Sequence, residues 1–304
     1  MEETITHFLD HLQKEKGFSA NTVAAYRNDL LQLITYIKGE SRPATSPAAQ
    51  WNGIQSATIQ SYVSDLRNKS YSQATVARKI ASVKSFFHFL QDQHLVNSDP
   101  TEGLSSPGVR RALPKTIPAW EMEDLLLQPL RKDSPEARRD WAMLSLLCAT
   151  GMRVTELIKL NIDDLVMDAH DPYVQCMGRG AKPRLITLQP DVVTVLHEYV
   201  TTARDRFMRH PEETALFLNR RGERLTRQGF WLILKGYAKS AGIKSAITPH
   251  ILRHTFATTM LQSGKLNLRE LQECLGHASI TTTQVYTQLS PNERARPVAA
   301  AARA

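Results

Sequence analysis

The sequence has little cysteine, and none of its three cysteines belongs to a paired motif. Cys148, Cys176 and Cys274 are far apart along the chain, so no CxxC pair is available for a zinc site or a redox disulfide. Scattered thiols of this kind predict reduced side chains in a cytoplasmic protein. We therefore expect no structural metal ion.

Long hydrophobic runs are also missing. The first residues, MEETITHFLDHL, are acidic and amphipathic, whereas a secretory signal begins with basic residues and continues with an apolar run. No apolar run reaches the roughly 20 residues that a membrane-spanning helix requires. The sequence therefore predicts a soluble cytoplasmic protein that does not bind a membrane.

The composition indicates two domains and a preference for polyanions. The chain has 304 residues, a hydrophobic fraction of 42% and a net charge of +8. Residues 1–113 hold 12 Lys and Arg against 10 Asp and Glu, and residues 114–304 hold 26 against 20. The basic surplus thus lies mainly in the second part. It favours a nucleic-acid partner, although a merely basic soluble protein would have the same composition.

Residues 1–107 have the pattern of a helical domain. Four stretches carry apolar side chains at helical spacing, which predicts a four-helix unit. Three basic residues, Arg78, Lys79 and Lys84, lie in the fourth stretch. They form either the solvated face of an ordinary bundle or a surface that follows DNA phosphates.

The chain then loses its periodicity in a segment rich in proline and glycine. Residues 97–118 read NSDPTEGLSSPGVRRALPKTIP, a composition typical of a linker. We place the linker at 108–117, between a first domain at 1–107 and a second domain at 118–304.

The second domain contains one predicted β-hairpin, at residues 172–189. Two short β-rich runs flank the turn GRGAKP, which carries Arg179 and Lys182, and Arg184 lies just beyond it. A basic hairpin tip of this kind can enter a DNA groove. The turn has neither the Rossmann nor the P-loop spacing, so it does not indicate a nucleotide site.

Two helix boundaries carry further arginines and histidines. Thr248-Pro249 predicts a helix start, and His250 and Arg253 follow on one face of that helix. Arg153 follows a predicted helix end at Gly151, with Glu156 one turn further on. In isolation, a histidine near a helix start is more often structural or solvated than catalytic, and Arg153 is explained equally well by a surface ion pair with a nearby carboxylate.

The same stretch continues to a glycine, a histidine and a tyrosine. Gly276 is placed as a left-handed helix cap, His277 follows it, and Tyr286 lies on a last predicted helix. The motif HxxRH could be half of a metal site, but it contains no carboxylate ligand, and an arginine between its histidines disfavours a cation there. An arginine, two imidazoles and a phenol within forty residues instead suggest chemistry on an anion.

The order of these motifs resembles the tyrosine recombinases, the phage-integrase family, and especially their Xer-type members. The matching stretches are ATGMRVTELIKL, GRGAKPRLITL, TPHILRHTFATTML and LGHASITTTQVYT. The resemblance implies a mainly α fold with a small β-sheet or hairpin in the second domain. It also implies a two-domain, C-shaped DNA clamp, with a four-helix core-binding domain followed by a mixed α+β catalytic domain.

The resemblance implies a role for each site residue. Tyr286 would attack a DNA phosphate and leave a 3′-phosphotyrosyl link, while Arg153 and Arg253 would bind the non-bridging oxygens. His250 would help accept the tyrosine proton, and His277 would donate a hydrogen bond to the phosphate. Glu156 would orient a neighbouring group.

One position departs from the family's pattern. The hairpin lysine that protonates the leaving 5′-oxygen usually stands in a Gly-Lys-Gly turn, and here Arg179 occupies that place. Because an arginine is a poor proton donor, we expect Lys182 to be the general acid and Arg179 to contact the groove.

The resulting expectation is a site-specific recombinase that uses no metal, ATP or other cofactor. It would bind double-stranded DNA as four protomers on two sites, alone or with a related recombinase. The short N-terminal part favours Xer-like resolution of chromosome or plasmid dimers over a mobile-element integrase. A type IB topoisomerase and a DNA-binding protein that does not cut remain as alternatives.

Overall fold

The computed structural model describes residues 1–40, 51–105, 116–168, 170–177, 183–277, 283–284 and 286. The contacts divide the chain into two compact units, Met1–Arg111 and Ala112–Ala304. Most of the linker predicted at 108–117 falls outside the described residues. Its boundaries therefore stay a prediction.

Helices make up the first unit. The described residues contain α1 (Glu2–Lys14), α2 (Ala20–Glu40), α3 (Ser56–Asn68) and α4 (Gln73–Asp92). The hydroxyl of Ser72 caps α4 by accepting a hydrogen bond from the backbone N–H of Thr75. The four helices confirm the pattern predicted from the apolar spacing.

Aromatic side chains form the centre of this unit. Phe8, Trp51, Phe86 and Phe87 are each at most 1% exposed, and Trp51 packs edge-on against Phe86 with ring centroids 4.8 Å apart. Burial of each large apolar side chain stabilises the unit by about 1.5–3 kcal/mol. This first unit therefore has a hydrophobic core of its own.

A buried carboxylate gives Lys79 a role other than the predicted contact with DNA. Asp29 is 1% exposed, and it pairs with Arg78 and with the ammonium of Lys79 at 2.9 Å. Lys79 is itself 6% exposed and donates a second hydrogen bond to Gln32. Lys79 therefore joins α4 to α2 inside the unit, and its ammonium is not presented to a phosphate.

The other two basic residues of α4 remain closer to the surface. The side chain of Arg78 is 43% exposed despite its ion pair, and Lys84 donates to the carbonyl of Leu104 at 2.9 Å. Contact of these two side chains with DNA stays a prediction.

The second unit is also mainly helical. Its longer helices are α5 (Ala119–Leu127), α6 (Pro135–Thr150), α7 (Val154–Leu157), α8 (Pro190–Glu198), α9 (Arg227–Ser240), α10 (Pro249–Gln262) and α11 (Leu268–Leu275). A π-helical turn at Tyr199–Ala203 and a 3-10 turn at Arg204–Arg206 extend α8. In the described part of the chain, no helix is long and apolar enough to cross a membrane.

A small antiparallel sheet completes this unit. Its strands are β1 (Leu165–Val166), β2 (Tyr173–Met177) and β3 (Pro183–Thr187), in the order β1-β2-β3. In the β2-β3 hairpin, Cys176 lies opposite Arg184. The predicted hairpin is thus confirmed, whereas β1 was not predicted because two residues show no alternation.

The core of the second unit fixes where α6 ends. Met143, Leu144 and Leu147 of α6 are fully buried. Gly151 follows in the left-handed conformation, with φ 60°, and a Cβ atom there would collide with the ring of Phe256 in α10. Glycine therefore lets the chain turn sharply against α10 just before the arginine of the site.

Candidate active site

Arg153 is placed by the short backbone between α6 and α7. Its own N–H donates to Glu156 Oε2 at 2.7 Å, and its Nη1 donates to Glu156 Oε1 at 3.0 Å. The side chain of Arg153 remains 34% exposed. Glu156 thus holds this arginine by both its backbone and its side chain.

Arg184, which the sequence analysis assigned to DNA contact, also pairs with Glu156. Its two terminal nitrogens donate to the two oxygens of Glu156 at 3.1 and 2.9 Å, and its Nε donates to the carbonyl of Cys274 at 2.9 Å. The side chain of Arg184 is only 12% exposed. Its guanidinium therefore joins β3 to the end of α11.

The carboxylate of Glu156 stays charged although it is buried. Burial alone would raise its pKa, but hydrogen bonds from Arg184 and from the backbone of Arg153 outweigh that effect and lower the pKa below its ordinary value. Glu156 is therefore an anion between two guanidinium groups.

Arg253 is contributed to the site by α10. The hydroxyl of Thr248 caps this helix by accepting from the N–H of Ile251 at 3.2 Å, which confirms the predicted helix start. Arg253 is 5% exposed and donates to the carbonyls of Gly151 and Leu275, each at 2.7 Å. Burial, and then the charge of Arg153, lower the pKa of its guanidinium to about 10, so it remains a cation at neutral pH.

The two arginines meet at the end of α11. Arg153 donates to the carbonyls of Leu275 and Gly276 at 3.3 Å each, and Arg253 donates to the same Leu275 carbonyl. The last carbonyls of a helix lack intrahelical partners and carry partial negative charge. A phosphate offers the same kind of acceptor, with more charge and two oxygens in reach of planar donors.

His277 follows the left-handed cap of α11 at Gly276, where φ is 63°. Its Nε2 lies 2.9 Å from Arg253 Nη2, and its Nδ1 lies 2.9 Å from the hydroxyl of Thr283. Because a guanidinium nitrogen can only donate, Nε2 accepts and the ring proton is on Nδ1. Burial, followed by the charges of Arg253 and Arg153, lowers the pKa of His277 to about 4.

Tyr286 is buried beside two imidazoles. It is 3% exposed, its hydroxyl lies 2.8 Å from His254 Nδ1, and its ring is stacked nearly parallel to that of His277 at 6.5 Å. Burial raises the pKa of the phenol, while the charges of Arg253 and Arg153 act to lower it. Tyr286 is therefore a neutral phenol within the electrostatic reach of both arginines.

His254 is one residue of the site that sequence reasoning missed. It is the second histidine of HxxRH, four residues after His250, so the two imidazoles follow one another along the same helix face. The presence of this histidine in the motif was the only signal in the sequence. Its contact with Tyr286 depends on how the chain returns to α10, which local spacing does not reveal.

His250 instead lines a cleft of about 220 Å³ next to the two arginines. The cleft residues are Arg153, Val154, Thr155, Arg227, Trp231, Pro249, His250 and Arg253. Burial and then the charges of Arg227, Arg253 and Arg153 lower the pKa of His250. Arg227 and Trp231 of α9 also had not been singled out in the sequence.

Five predicted residues thus come together in the described site: Arg153, Glu156, Arg253, His277 and Tyr286, with His250 at the adjoining cleft. Arg179 and Lys182 lie outside the described residues, so the identity of the general acid stays a prediction. In the described part of the chain, no three His, Cys, Asp or Glu side chains form a group that could hold a metal ion.

Comparisons with known proteins agree over almost the whole chain. The phage integrase family matches residues 115–293, and the phage integrase N-terminal SAM-like domain matches residues 5–94. The chain is 46% identical over 295 residues to the tyrosine recombinase XerC of Herpetosiphon aurantiacus, covering 97% of this chain and 93% of that relative. It is 42% identical over 292 residues to the tyrosine recombinase XerD of Listeria innocua, covering 95% of each.

A solved structure has the same fold. The XerH site-specific recombinase, bound to a palindromic difH substrate in a post-cleavage complex, superimposes with a TM-score of 0.74 at 21% identity. The match covers 95% of this chain and 82% of that one. The mainly α fold with a small sheet is therefore confirmed.

Proposed function

We propose that this chain, which belongs to the phage integrase family, is an Xer-type site-specific recombinase that uses Tyr286 as its nucleophile. It would cut and rejoin double-stranded DNA through a 3′-phosphotyrosyl link. One observation carries the proposal. The phenol of Tyr286 lies within the electrostatic reach of two guanidinium groups that share one carbonyl acceptor, and its ring is stacked on His277, which contacts Arg253.

The first step is binding of the scissile phosphate. Arg153 and Arg253 each present a planar set of N–H donors, and their partners at the end of α11 are neutral carbonyls. A phosphate would compete well for these donors because charge-assisted, bidentate hydrogen bonds are stronger than bonds to neutral oxygens. The same donors would stabilise the additional charge on the pentacoordinate phosphorus of the transition state.

In the second step, the phenolic oxygen of Tyr286 attacks the phosphorus. A bond forms between that oxygen and phosphorus, the bond to the 5′-oxygen breaks, and the 5′-oxygen leaves as a hydroxyl. His250 is placed at the cleft beside the arginines, where it can contact the phosphate or the attacking group. For His277 to donate to a phosphate oxygen, its proton must move from Nδ1 to Nε2.

The leaving oxygen needs a proton, and we assign it to Lys182. An ammonium can give up a proton near neutral pH when neighbouring cations depress its pKa, whereas a guanidinium cannot. Arg179 would then contact the DNA backbone or groove. Lys182→Ala should lose cleavage and Arg179→Ala should mainly lose affinity; the reverse pattern would exchange the two assignments.

Neither a metal ion nor ATP is required by this chemistry. The phosphotyrosyl link is itself a phosphodiester, so the energy of the broken bond is retained for rejoining. Two guanidinium cations supply the positive charge that a metal ion supplies in other phosphoryl-transfer sites.

The biological role that we propose is resolution of chromosome or plasmid dimers. The support is the similarity to proteins named XerC and XerD over nearly their whole length. Exchange between two duplexes needs four active sites, so the working unit would be a tetramer on two sites. It would consist of this chain alone or of this chain with a related recombinase.

The test is recombination of a plasmid that carries two copies of a bound site. The site would be selected from genomic fragments by affinity, and reactions would contain EDTA and no nucleotide. Deletion or inversion between the sites by the wild-type chain, absent with Tyr286→Phe, is the expected result. Relaxation of supercoils without exchange would instead assign the chain to the type IB topoisomerase reaction.

A further inference from the structure

We propose that His254 is a catalytic residue, the base that accepts the phenolic proton of Tyr286 when this oxygen attacks the DNA phosphate. This inference rests on the proposed function and goes beyond it, because it identifies the proton acceptor as the second histidine of HxxRH. The expectation from the sequence was that the first histidine, His250, takes this part.

The position of His254 relative to the nucleophile carries the proposal. Its Nδ1 lies 2.8 Å from the Tyr286 hydroxyl, a direct hydrogen-bond distance that requires no intervening water. The two rings are tilted by 55°, with centroids 5.3 Å apart, so a nitrogen edge rather than the ring face meets the phenol. An imidazole nitrogen in this position can receive the phenolic proton without a rearrangement.

Other imidazoles of the site are less suited to this task. Both nitrogens of His277 are engaged, one by Arg253 and one by Thr283, and its ring lies parallel to the phenol. His250 is on the exposed side of α10, lining the cleft with the arginines. His254 is therefore the imidazole with a nitrogen at the Tyr286 hydroxyl.

The charges around His254 keep it in the basic form. Burial lowers its pKa, and so do His250 and Arg253 of the same helix. From the segment after α11, it faces Tyr286 and His277, and both of these groups are neutral at pH 7. A neutral imidazole with its proton on Nε2 presents a lone pair at Nδ1, to which the phenol donates.

The placement of His254 also couples proton transfer to phosphate binding. It directly follows Arg253 in α10, so one helical turn carries a phosphate ligand and the base. During attack, the O–H bond of Tyr286 breaks, its proton moves to Nδ1, and the oxygen–phosphorus bond forms. The 5′-oxygen leaves with a proton from the general acid of the hairpin, and His254 returns its proton to Tyr286 on rejoining.

The test compares two variants that separate proton transfer from hydrogen bonding. His254→Asn keeps an oxygen that can accept a hydrogen bond near the position of Nδ1, but an amide does not take up a proton at neutral pH. His254→Ala removes both functions. Single-turnover cleavage of a nicked suicide duplex should fall about 100- to 10,000-fold in both variants. His197→Ala, an exposed histidine of α8, is the matched control and should cleave at the wild-type rate.

A pH profile distinguishes a lost base from a disturbed structure. The wild-type rate should be flat above neutral pH, because neutral His254 is the form present there, and should fall on acidification. In His254→Asn, the rate should rise about tenfold per pH unit, because only the small ionised fraction of Tyr286 can attack. A profile parallel to that of the wild type would overturn the proposal.

A modified substrate distinguishes the loss of the general base from the loss of the general acid. A 5′-bridging phosphorothioate has a leaving group that needs no proton. It should therefore restore cleavage by a variant that lacks the general acid, but it should not restore cleavage by His254→Asn. If the phosphorothioate restores cleavage by His254→Asn, or if that variant cleaves the normal duplex at the wild-type rate, the proposal is overturned. Tyr286-dependent cleavage by the wild type in the same experiment shows that the proposed function itself holds, and its absence would overturn both.

Discussion

Arg153 and Arg253 donate hydrogen bonds to one carbonyl oxygen, that of Leu275, at 3.3 and 2.7 Å. Arg253 also donates to the carbonyl of Gly151, which ends α6. Three helix boundaries therefore meet at this point: the end of α6, the first turns of α10 and the end of α11. The two proposed phosphate donors are held by backbone acceptors, which favours a site whose geometry is set before DNA binds.

The first prediction concerns replacement of the planar guanidinium groups of Arg153 and Arg253. Arg153→Lys and Arg253→Lys should each lower the single-turnover cleavage rate about 100- to 1,000-fold, because an ammonium cannot bind a phosphate in the bidentate way. DNA affinity should change much less, because the positive charge is kept. Cleavage by either variant within a few fold of the wild type would show that the arginine is not a transition-state donor.

The second prediction separates the two arginines by their effect on stability. Arg253 is 5% exposed and supplies the donors for the carbonyls of Gly151 and Leu275. Arg253→Ala should therefore lower the free energy of unfolding by about 1–3 kcal/mol, because the carbonyl of Gly151 loses its donor and that of Leu275 keeps only Arg153. Arg153→Ala should lower it by less, because the Arg153 side chain is 34% exposed. Denaturant unfolding of both variants measures this difference, and equal losses would contradict it.

The third prediction concerns the buried carboxylate of Glu156. Glu156→Gln leaves the guanidinium of Arg184, which is 12% exposed, without its anion. The free energy of unfolding should fall by about 3–5 kcal/mol. Glu273→Gln is the matched control, because that carboxylate pairs with Arg269 at the surface and should be worth at most about 1 kcal/mol. A similar effect of both substitutions would contradict the role given to Glu156.

The pH dependence of stability follows from the same carboxylate. The pKa of Glu156 is lower in the folded chain than its ordinary value. Its contribution is therefore fully present above that ordinary value and is lost as the pH falls through the lower, folded-state pKa. The difference in melting temperature between the wild type and Glu156→Gln should shrink with acidification over this range. A constant difference would indicate that the charge of Glu156 is not what stabilises the fold.

The fourth prediction uses two glycines that share a backbone conformation. Gly276 and Gly264 both have positive φ, 63° and 68°, so alanine strains both positions by about 1–2 kcal/mol. Only at Gly276 would the new Cβ atom meet a neighbour, the guanidinium of Arg184 at 2.9 Å, whereas the space at Gly264 is open. Gly276→Ala should therefore slow cleavage by displacing His277, and Gly264→Ala should only lower stability. Equal cleavage by the two variants would contradict this placement of His277.

The fifth prediction tests whether Lys79 acts inside the first unit or at the DNA surface. Lys79→Met should lower the melting temperature, because the buried Asp29 loses one of its two cationic partners and keeps only Arg78. The slope of log affinity against log salt concentration should not change, whereas removal of a phosphate contact lowers it by about one. A reduced slope with an unchanged melting temperature would indicate that Lys79 contacts a DNA phosphate.

Local signals predicted the helix boundaries and the hairpin well. Thr248-Pro249 marks the start of α10, and Gly151 and Gly276 mark helix ends in the left-handed conformation, because these residues act through their own backbone. The order of the motifs also indicated which arginines, histidines and tyrosine belong together. The helix boundaries depend on neighbours within one or two turns, whereas the grouping of the site residues came from the resemblance to a known family.

Buried charges and the histidine contact could not be predicted in the same way. Lys79 and Arg184 were expected at the DNA surface, but each turns inward to a carboxylate that is distant in sequence, Asp29 and Glu156. A basic residue in a sequence carries no sign of such a partner. His254 was visible in the motif, yet its contact with Tyr286 arises only when the chain folds back on α10.

The most direct test of the account is the covalent adduct. The wild-type chain and Tyr286→Phe would be incubated with a nicked suicide duplex made from the bound genomic site, without metal or ATP, and then denatured. The account predicts a wild-type adduct whose 3′-phosphate is attached to Tyr286 by peptide mapping, and none with Tyr286→Phe. An adduct that persists in Tyr286→Phe, or maps to another residue, would contradict the assignment of the nucleophile.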